Sequence, residues 1–361
     1  MIEAIRRHYE QHVYPHYNLL ASVRRCDTYA LSLPALWGAF NASRPPGEAM
    51  RILLAGCGSF SPYPTALANP ESEVVALDLS RSSLKRASLH ARLHGCRNIR
   101  YRTGDLLDPL VEPGPFGFID CFGVLHHLPD PVAGLRALAA RLAPGGIVRI
   151  MVYSRAARRE IEAARRALRL AGIRDIAALK GLLRRAQPES RLATAVCEAA
   201  DAASPAGLAD AFLHPLVSTF RVDDLVAFVD DAGLKPLRFA HNDAQPDPLV
   251  ELSRLRKLEQ KGTLDHNFLL YLGKKGEGTI CPIEDGLLVL NPVIAAALAT
   301  PRIWPLTVAP RLGCPNPPLD RAARRFLRRF RAPVPASSLT GPELALARGF
   351  ISSLFLLVLK P

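Results

Sequence analysis

The chain has 361 residues, of which 49% are hydrophobic and 22% are charged, and its formal net charge is +13 at pH 7. This length and balance argue against global disorder and predict one large α/β domain with an appendage, or two domains. No apolar run is long enough to span a bilayer, and the N-terminus lacks the apolar core of a secretory signal. The seven cysteines include no C-x-x-C pair. We therefore expect a cytoplasmic protein with reduced thiols and no metal site.

The first 48 residues are predicted to form an N-terminal helical segment. Ile2 to Leu20 has a helical pattern and carries Tyr9, Tyr14 and Tyr17. One interpretation is a helix packed on the core, and the other is a flexible lid whose aromatic side chains close over a bound cofactor. A second helical segment is predicted at Asp27 to Phe40, before a proline-rich linker.

Strands and helices alternate regularly from Arg51 onward, which is typical of a parallel sheet covered on both faces. Two of the intervening segments, Ser80–His94 and Pro131–Leu142, have helical patterns, and Ala143–Gly146 is predicted to be a loop. The predicted strands are Arg51–Ala55, Glu73–Leu77, Ile99–Thr103, Pro115–Gly123, Ile147–Val152, Leu234–Ala240 and His266–Leu272.

The first predicted strand ends abruptly at Gly56-Cys57-Gly58, and the second ends at Asp78. Glycines permit a tight turn and leave room for a ligand against the main chain, while a carboxylate about twenty residues later can accept from ribose hydroxyls. Asp105 and the segment Gly123–His127 follow later strands. Because ligands bind at the carboxyl ends of such strands, all these residues are expected at one edge of the sheet.

Five segments in this order resemble class I S-adenosylmethionine-dependent methyltransferases: A-G-C-G, L-D-L-S, G-D-L-L-D, F-G-V-L-H-H-L-P-D-P and L-A-P-G-G. The resemblance covers Arg51 to Tyr153 and extends loosely to Lys275. It implies a Rossmann-like seven-stranded sheet whose last strand is antiparallel. The chain is more closely similar to the methyltransferase domains often attached to tetratricopeptide repeats, which share Y-S-x-x-A-R, here Tyr153–Arg158, and a motif matching Phe212-Leu213-His214. No such repeats are visible in this sequence.

The resemblance also implies a set of residues that bind S-adenosylmethionine. The glycine turn would pass under the methionine part, Asp78 would take the ribose hydroxyls and Asp105 would accept from the adenine amino group. Leu79 would lie beside the adenine and Leu106 would stack near it. The expected cofactor-binding residues are Gly56, Cys57, Gly58, Asp78, Leu79, Asp105, Leu106, Gly123 and Val124.

Two positions depart from the family pattern. Leu54 stands where an acidic residue is usual, and Phe60 stands where a third glycine is common. The bulk of Phe60 would crowd the methionine end of the site or reshape the loop. This leaves open a protein that keeps the fold and has lost the reaction.

The candidates for catalysis follow the fourth strand. His126 and His127 lie where a general base would meet an acceptor, although one of them is equally expected to pack the following turn. Tyr153 and His214 are expected to line the acceptor pocket. The N/D-P-P-Y type of motif found in enzymes that methylate base amino groups is absent, which argues against that chemistry.

Two segments lie outside the resemblance or interrupt it. A helical insertion at residues 155–232 begins with the arginine-rich stretch Arg155–Ala186, which would grip phosphates or form a solvated face. Residues 276–361 are predicted to be a small, mainly helical module of unassigned function. Its expected helices are Pro292–Ala299, Asp320–Arg331 and Pro342–Leu359.

We therefore expect a methyltransferase that uses S-adenosylmethionine, with its domain at residues 49–275 and an unidentified acceptor. A small-molecule acceptor is favoured over RNA or protein, and nucleic acid is permitted by the charge without being required. Two alternatives come from other classes: a non-catalytic cofactor-binding or scaffold protein, and an NAD-dependent oxidoreductase. The oligomeric state is left open.

Overall fold

The computed structural model describes residues 2–199, 202–300 and 304–361. Its main feature is a seven-stranded sheet with the strand order β3-β2-β1-β4-β5-β7-β6. β7 runs antiparallel to both of its neighbours, β5 and β6, which confirms the predicted Rossmann-like α/β fold. The strands are β1 (Arg51–Ala55), β2 (Glu73–Asp78), β3 (Ile99–Thr103), β4 (Phe116–Phe122), β5 (Leu142–Val152), β6 (Leu234–Phe239) and β7 (Phe268–Lys274).

Helices cover both faces of this sheet. Successive side chains of a strand point to opposite faces, so Ile52 and Leu54 enter one apolar core while Leu53 and Ala55 enter the other. All four are buried, as expected for a central parallel strand. The helices that pack around the sheet are α1 (Ile2–Gln11), α2 (Leu33–Asn41), α3 (Pro62–Ala68), α4 (Arg81–Leu93), α5 (Pro131–Ala140), α10 (Val222–Asp231) and α11 (Pro248–Lys261).

Two predicted boundaries near the sheet are wrong. α1 ends at Gln11 instead of Leu20, because Pro15 cannot continue a helix. The predicted loop Ala143–Gly146 lies within β5, between two pairs of the β4–β5 ladder, where the register shifts. A β-bulge therefore absorbs these residues without ending the strand.

The insertion between β5 and α10 is helical, as predicted, but it consists of several short helices separated by turns. Its apolar side chains, including Ile161, Leu179 and Phe212, form a small core of their own. The prediction of helix is wrong for residues 214–219, which follow the short π-helical turn that ends at Leu213. The helices of the insertion are α6 (Arg159–Leu170), α7 (Ile176–Arg185), α8 (Arg191–Glu198) and α9 (Pro205–Leu208).

The C-terminal residues add a second, three-stranded sheet with the order β10-β8-β9, which the sequence did not predict. The expected helix Pro342–Leu359 is wrong after Ser352, since the short apolar run that follows pairs with β8 as a strand. The elements are β8 (Leu287–Leu290), α12 (Pro292–Ala299), α13 (Arg321–Arg328), β9 (Val334–Pro335), α14 (Gly341–Ser352) and β10 (Leu356–Leu359).

The C-terminal elements share an apolar core with the N-terminal segment and one face of the main sheet. Tyr29, Trp37, Val293 and Phe355 belong to the same buried cluster. The Asn291 amide supports this junction by donating to Tyr29 O at 3.3 Å. The proposed domain boundaries at residues 48 and 275 stay predictions.

None of the described helices has both the length and the apolar character needed to cross a membrane. Within the described ranges, no group of three or more His, Cys, Asp or Glu side chains is arranged to hold a metal ion.

Candidate functional site

A cavity of about 550 Å³ lies at the carboxyl ends of the strands, partly beneath α1. This volume is in the range of cofactor and small-ligand sites. Eleven of the thirteen residues proposed from the sequence line it. They are Gly56, Cys57, Gly58, Asp78, Leu79, Asp105, Leu106, Gly123, Val124, His127 and Tyr153.

The turn after β1 requires its glycines for two reasons. Gly56 has φ +73° and Gly58 has φ +55°, a backbone region that side chains disfavour. A Cβ atom on Gly56 would also lie 2.4 Å from Cγ2 of Val124, and one on Gly58 would lie 2.8 Å from Tyr14 O. The close approach of neighbouring chain segments therefore excludes larger residues here.

Asp78 holds this turn in place from the end of β2. Its Oδ2 accepts from Gly58 N at 2.8 Å and its Oδ1 accepts from Ser80 N at 2.8 Å. Burial raises the pKa of Asp78 to about 6, against the opposing effect of these two hydrogen bonds. Each carboxylate oxygen has two acceptor sites, so Asp78 retains capacity to accept from a ligand.

Asp105 lies on the next turn of the same cavity. Its Oδ1 accepts from Leu107 N at 2.9 Å, which fixes the carboxylate relative to the backbone after β3. Leu106 beside it is 6% exposed and adds apolar lining. The carboxylates of Asp78 and Asp105 and the apolar side chain of Leu106 therefore line the same cavity.

Phe60 forms part of the cavity wall and leaves the cavity in place. Its ring packs edge-on against Tyr17, with centroids 4.4 Å apart, and stacks on His90 at 5.5 Å. The other departure from the family pattern, Leu54, is buried in the apolar core of the sheet. Aromatic packing outside the glycine turn therefore accommodates the bulk of Phe60.

The N-terminal segment is packed on the domain and also covers the cavity. Glu10 accepts from Arg81 N at 2.6 Å, at the start of α4, and Tyr14 O accepts from Ser59 N at 3.2 Å. Ile2, Ile5, Tyr9, Tyr14 and Pro15 line the cavity. The location suits both interpretations made from the sequence, and the opening of this segment as a lid stays a prediction.

His127 is the candidate base that reaches the cavity. Its Nδ1 lies 2.8 Å from Leu216 O, a contact in which Nδ1–H donates and Nε2 keeps its lone pair. Burial lowers the pKa of His127 to about 3, with smaller contributions from the charges of Arg165 and Arg158. The ring is therefore neutral near pH 7, which is the form that accepts a proton.

The other two histidines proposed from the sequence do not line the cavity. His126 is completely buried, and its ring stacks on Tyr153 with centroids 3.6 Å apart. His214 is 3% exposed, lies behind His127 with ring centroids 3.8 Å apart, and places Nδ1 2.5 Å from Leu216 O. Burial lowers the pKa of both rings, so each is neutral. The π-helical turn and the residues after it place His214 in this second layer.

The sequence did not assign several polar residues of the cavity. Tyr9 donates from its hydroxyl to Asp210 Oδ1 at 2.9 Å, joining α1 to the helical insertion. Arg158, the last residue of the Y-S-x-x-A-R motif, lies with its guanidinium carbon 3.8 Å from the centre of the Tyr153 ring. The sequence showed the motif around Arg158 and Tyr9 as a possible lid residue, but it gave no sign of the contact between Tyr9 and Asp210, which are 201 residues apart.

Comparison with known proteins identifies a family for the central part of the chain. Residues 53–148 match the family model described as "Methyltransferase domain". An uncharacterized protein of Synechococcus sp. is 35% identical over 211 residues, which are 55% of this chain and 51% of that protein. The ubiquinone biosynthesis O-methyltransferase of Xanthomonas campestris is 35% identical over 115 residues, covering 32% of this chain and 47% of the relative. The chain thus spans about half the length of these curated relatives.

Among solved structures, PKMT2 from Rickettsia typhi superposes with a TM-score of 0.55 and 15% identity, over 94% of this chain and 76% of that one. The same protein in complex with AdoHcy gives a TM-score of 0.52. At this identity the likeness concerns the fold, and it agrees with the observed strand order. Together with the family match, it shows that residues 53–148 belong to a methyltransferase domain with a Rossmann-like fold.

Proposed function

We propose that this protein transfers the methyl group of S-adenosylmethionine to an oxygen of a small-molecule acceptor. The observation that carries the proposal is the meeting, in one cavity, of the glycine turn, two carboxylates and a neutral histidine. The covering of this cavity by α1 and the insertion favours a small acceptor over RNA or a folded protein. The relative from Xanthomonas, named as an O-methyltransferase, supports an oxygen acceptor.

The residues of the cavity suit the chemical groups of S-adenosylmethionine. Ribose hydroxyls and the adenine amino group are donors, and Asp78 and Asp105 provide acceptors. Leu79 and Leu106 offer apolar surface to the adenine. The turn Gly56–Gly58, with Cys57 between the glycines, leaves space for the methionine part, and the backbone of Gly123 and Val124 is proposed to meet its amino group.

S-adenosylmethionine supplies a methyl group on a sulfonium, which becomes a neutral thioether when the acceptor oxygen takes the methyl. The protein's task is to align the acceptor in a water-poor pocket and to accept its proton. We assign proton acceptance to Nε2 of His127. Behind the cavity wall, His214 packs against the ring of His127. His126 packs in the same way against Tyr153, which lines the acceptor side.

The likeness to methyltransferase domains attached to tetratricopeptide repeats belongs to this proposal as well. It rests on the Tyr153–Arg158 motif, both ends of which line the cavity. The packing of Phe60 against Tyr17 and His90 favours an active enzyme over a scaffold.

The test is calorimetric titration with S-adenosylmethionine, S-adenosylhomocysteine (SAH) and NAD, followed by an assay for SAH release with a panel of hydroxylated small molecules. We expect binding of the first two ligands and turnover with an oxygen acceptor. Heat with NAD alone would replace the proposal by an oxidoreductase. Tight SAH binding without turnover on small molecules, RNA or protein would favour the scaffold.

A further inference from the structure

We propose that the acceptor carries a carboxylate and that Arg158 binds it, an inference that rests on the proposed methyl transfer. Arg158 lines the cavity but is only 9% exposed. Its Nε and Nη2 atoms are buried without a hydrogen-bond partner. Within the described part of the chain, no carboxylate oxygen lies within ion-pair distance of its guanidinium. A buried charge with unpaired donors is costly, which indicates that a ligand completes this site.

Arg165, on the same insertion, is a buried arginine with two hydrogen bonds and one ion pair, although its Nε also makes no hydrogen bond. Its Nη1 donates to Ala211 O at 3.1 Å, its Nη2 donates to His214 O at 2.8 Å, and its Nε lies 3.2 Å from Glu162 Oε1. Arg165 therefore holds the insertion together. Arg158 is also buried, at 9% exposed against 2% for Arg165, but among the described residues it has no comparable carbonyl or carboxylate partners, so its role requires another explanation.

The place of Arg158 in the fold assigns it to the acceptor side. The turns proposed to hold the cofactor follow β1, β2, β3 and β4, whereas Arg158 follows β5, the next strand in the sheet. A turn closed by Arg158 N donating to Ser154 O at 3.1 Å brings the guanidinium over the Tyr153 ring. Stacking on that ring fixes the plane of the guanidinium, and Nε and Nη2 share the edge that matches the two oxygens of a carboxylate.

The charges and apolar groups nearby favour a carboxylate over a phosphate. Asp210 and Glu198 also line the cavity, and they would disfavour an anion with two charges. Ile5, Met151 and Ile161 provide apolar contact for the body of the ligand. The acceptor class that fits is a hydroxy acid with an apolar body, whose hydroxyl meets His127 and whose carboxylate meets Arg158.

The experiment measures binding of three probes to the SAH-saturated protein: 4-hydroxybenzoate, 4-hydroxybenzamide and 4-hydroxyphenyl phosphate. We expect the carboxylate to bind at least about tenfold more tightly than the neutral amide, in line with a charge-assisted pair. Arg158→Met should remove this preference and leave SAH affinity unchanged. The control is Arg159→Met, since Arg159 is exposed and, among the described residues, its side chain pairs only with the neighbouring Glu160.

Three outcomes would overturn the assignment. Equal binding of acid and amide to the unaltered protein would remove the anion site, and tighter Arg158-dependent binding of the phosphate would change the ligand class. A loss of SAH affinity in Arg158→Met would place Arg158 on the cofactor instead. Failure of the unaltered protein to bind SAH would contradict the proposed function itself. The three outcomes above concern the Arg158 assignment alone, so the two kinds of failure can be told apart.

Discussion

The two halves of the cavity are built in different ways. The half proposed to bind the cofactor (the cofactor half) contains Gly56–Gly58, Asp78, Asp105 and Gly123 and comes from turns that directly follow strands of one sheet. The acceptor half, formed by Tyr9, His127, Tyr153, Arg158 and Asp210, draws on α1, the turns after β4 and β5, and the insertion. The cofactor half depends on the backbone conformation of short turns, whereas the acceptor half depends on contacts between segments that are far apart in the sequence. Under the proposed function, methyl-donor binding and acceptor choice therefore depend on different parts of the chain.

The largest effect is expected at the boundary between the halves. His127→Gln should lower kcat by about 10²–10³-fold while SAH affinity stays the same, because a general base acts on the acceptor and not on the cofactor. SAH release with a hydroxylated acceptor gives the rate, and calorimetry gives the affinity. Because the pKa of His127 is lowered to about 3, this base should cause no loss of rate on acidification from pH 7.5 to pH 5.5. A rate that falls with a pKa near 6.5 would contradict the assignment.

The next effect tests the steric demand of the cofactor half. Gly56→Ala should weaken SAH binding by about 100-fold, because the new Cβ combines a positive φ with a 2.4 Å contact to Val124 Cγ2 and displaces the turn. Gly95→Ala is the matched control. Gly95 also has a positive φ, +76°, but a Cβ there meets nothing within 4 Å. Equal losses of SAH affinity in the two variants would show that backbone strain, and not the approach of Val124, sets the requirement for glycine.

Much of the cofactor half of the cavity was predictable from the sequence. β1 and β3 match their predicted bounds, and the helical pattern Ser80–His94 corresponds to α4, which Ser80 caps by accepting from Ser83 N. Glycine turns and strand-terminal carboxylates are constrained by neighbours in the chain, so local pattern suffices to find them.

The acceptor half of the cavity was not predictable from local sequence patterns. The two adjacent histidines 126 and 127 have the same local pattern, yet only one lines the cavity, because Tyr153 packs against the other. Asp210 and Tyr9 have no local motif, and the burial of Arg158 follows from how the insertion folds back. The C-terminal strand β10 was mistaken for helix because a short apolar run fits either element until its partner is known.

A smaller effect should appear in the pH dependence of cofactor binding. Burial raises the pKa of Asp78 to about 6, so the carboxylate is ionised at pH 7.5 and mostly protonated at pH 5. Protonation removes acceptor capacity for the ribose, and SAH affinity should fall by about tenfold over this interval. Calorimetry at fixed ionic strength would measure it. Asp78→Asn should bind SAH more weakly and with little dependence on pH, and an unchanged pH profile in this variant would assign the titration to another group.

The smallest change in SAH affinity is expected from a comparison of two aspartates in the turn after β3. Asp105 and Asp108 each accept from the backbone N–H two residues later, at 2.9 Å, so their local structural roles are alike. Asp105 lines the cavity, whereas Asp108 is exposed and lies outside the cavity lining. Asp105→Asn should therefore weaken SAH binding by about three- to tenfold through loss of one charge-assisted hydrogen bond. Asp108→Asn should change it little.

Titration of both variants with SAH and with S-inosylhomocysteine, in which the adenine amino group is replaced by a carbonyl, sharpens this comparison. The unaltered protein should prefer SAH, because the carboxylate of Asp105 accepts from an amine and repels a carbonyl oxygen. Asp105→Asn should lose that preference, since its amide can donate, and Asp108→Asn should keep it. A preference that survives in Asp105→Asn would mean that the backbone after β3, and not this carboxylate, reads the purine edge.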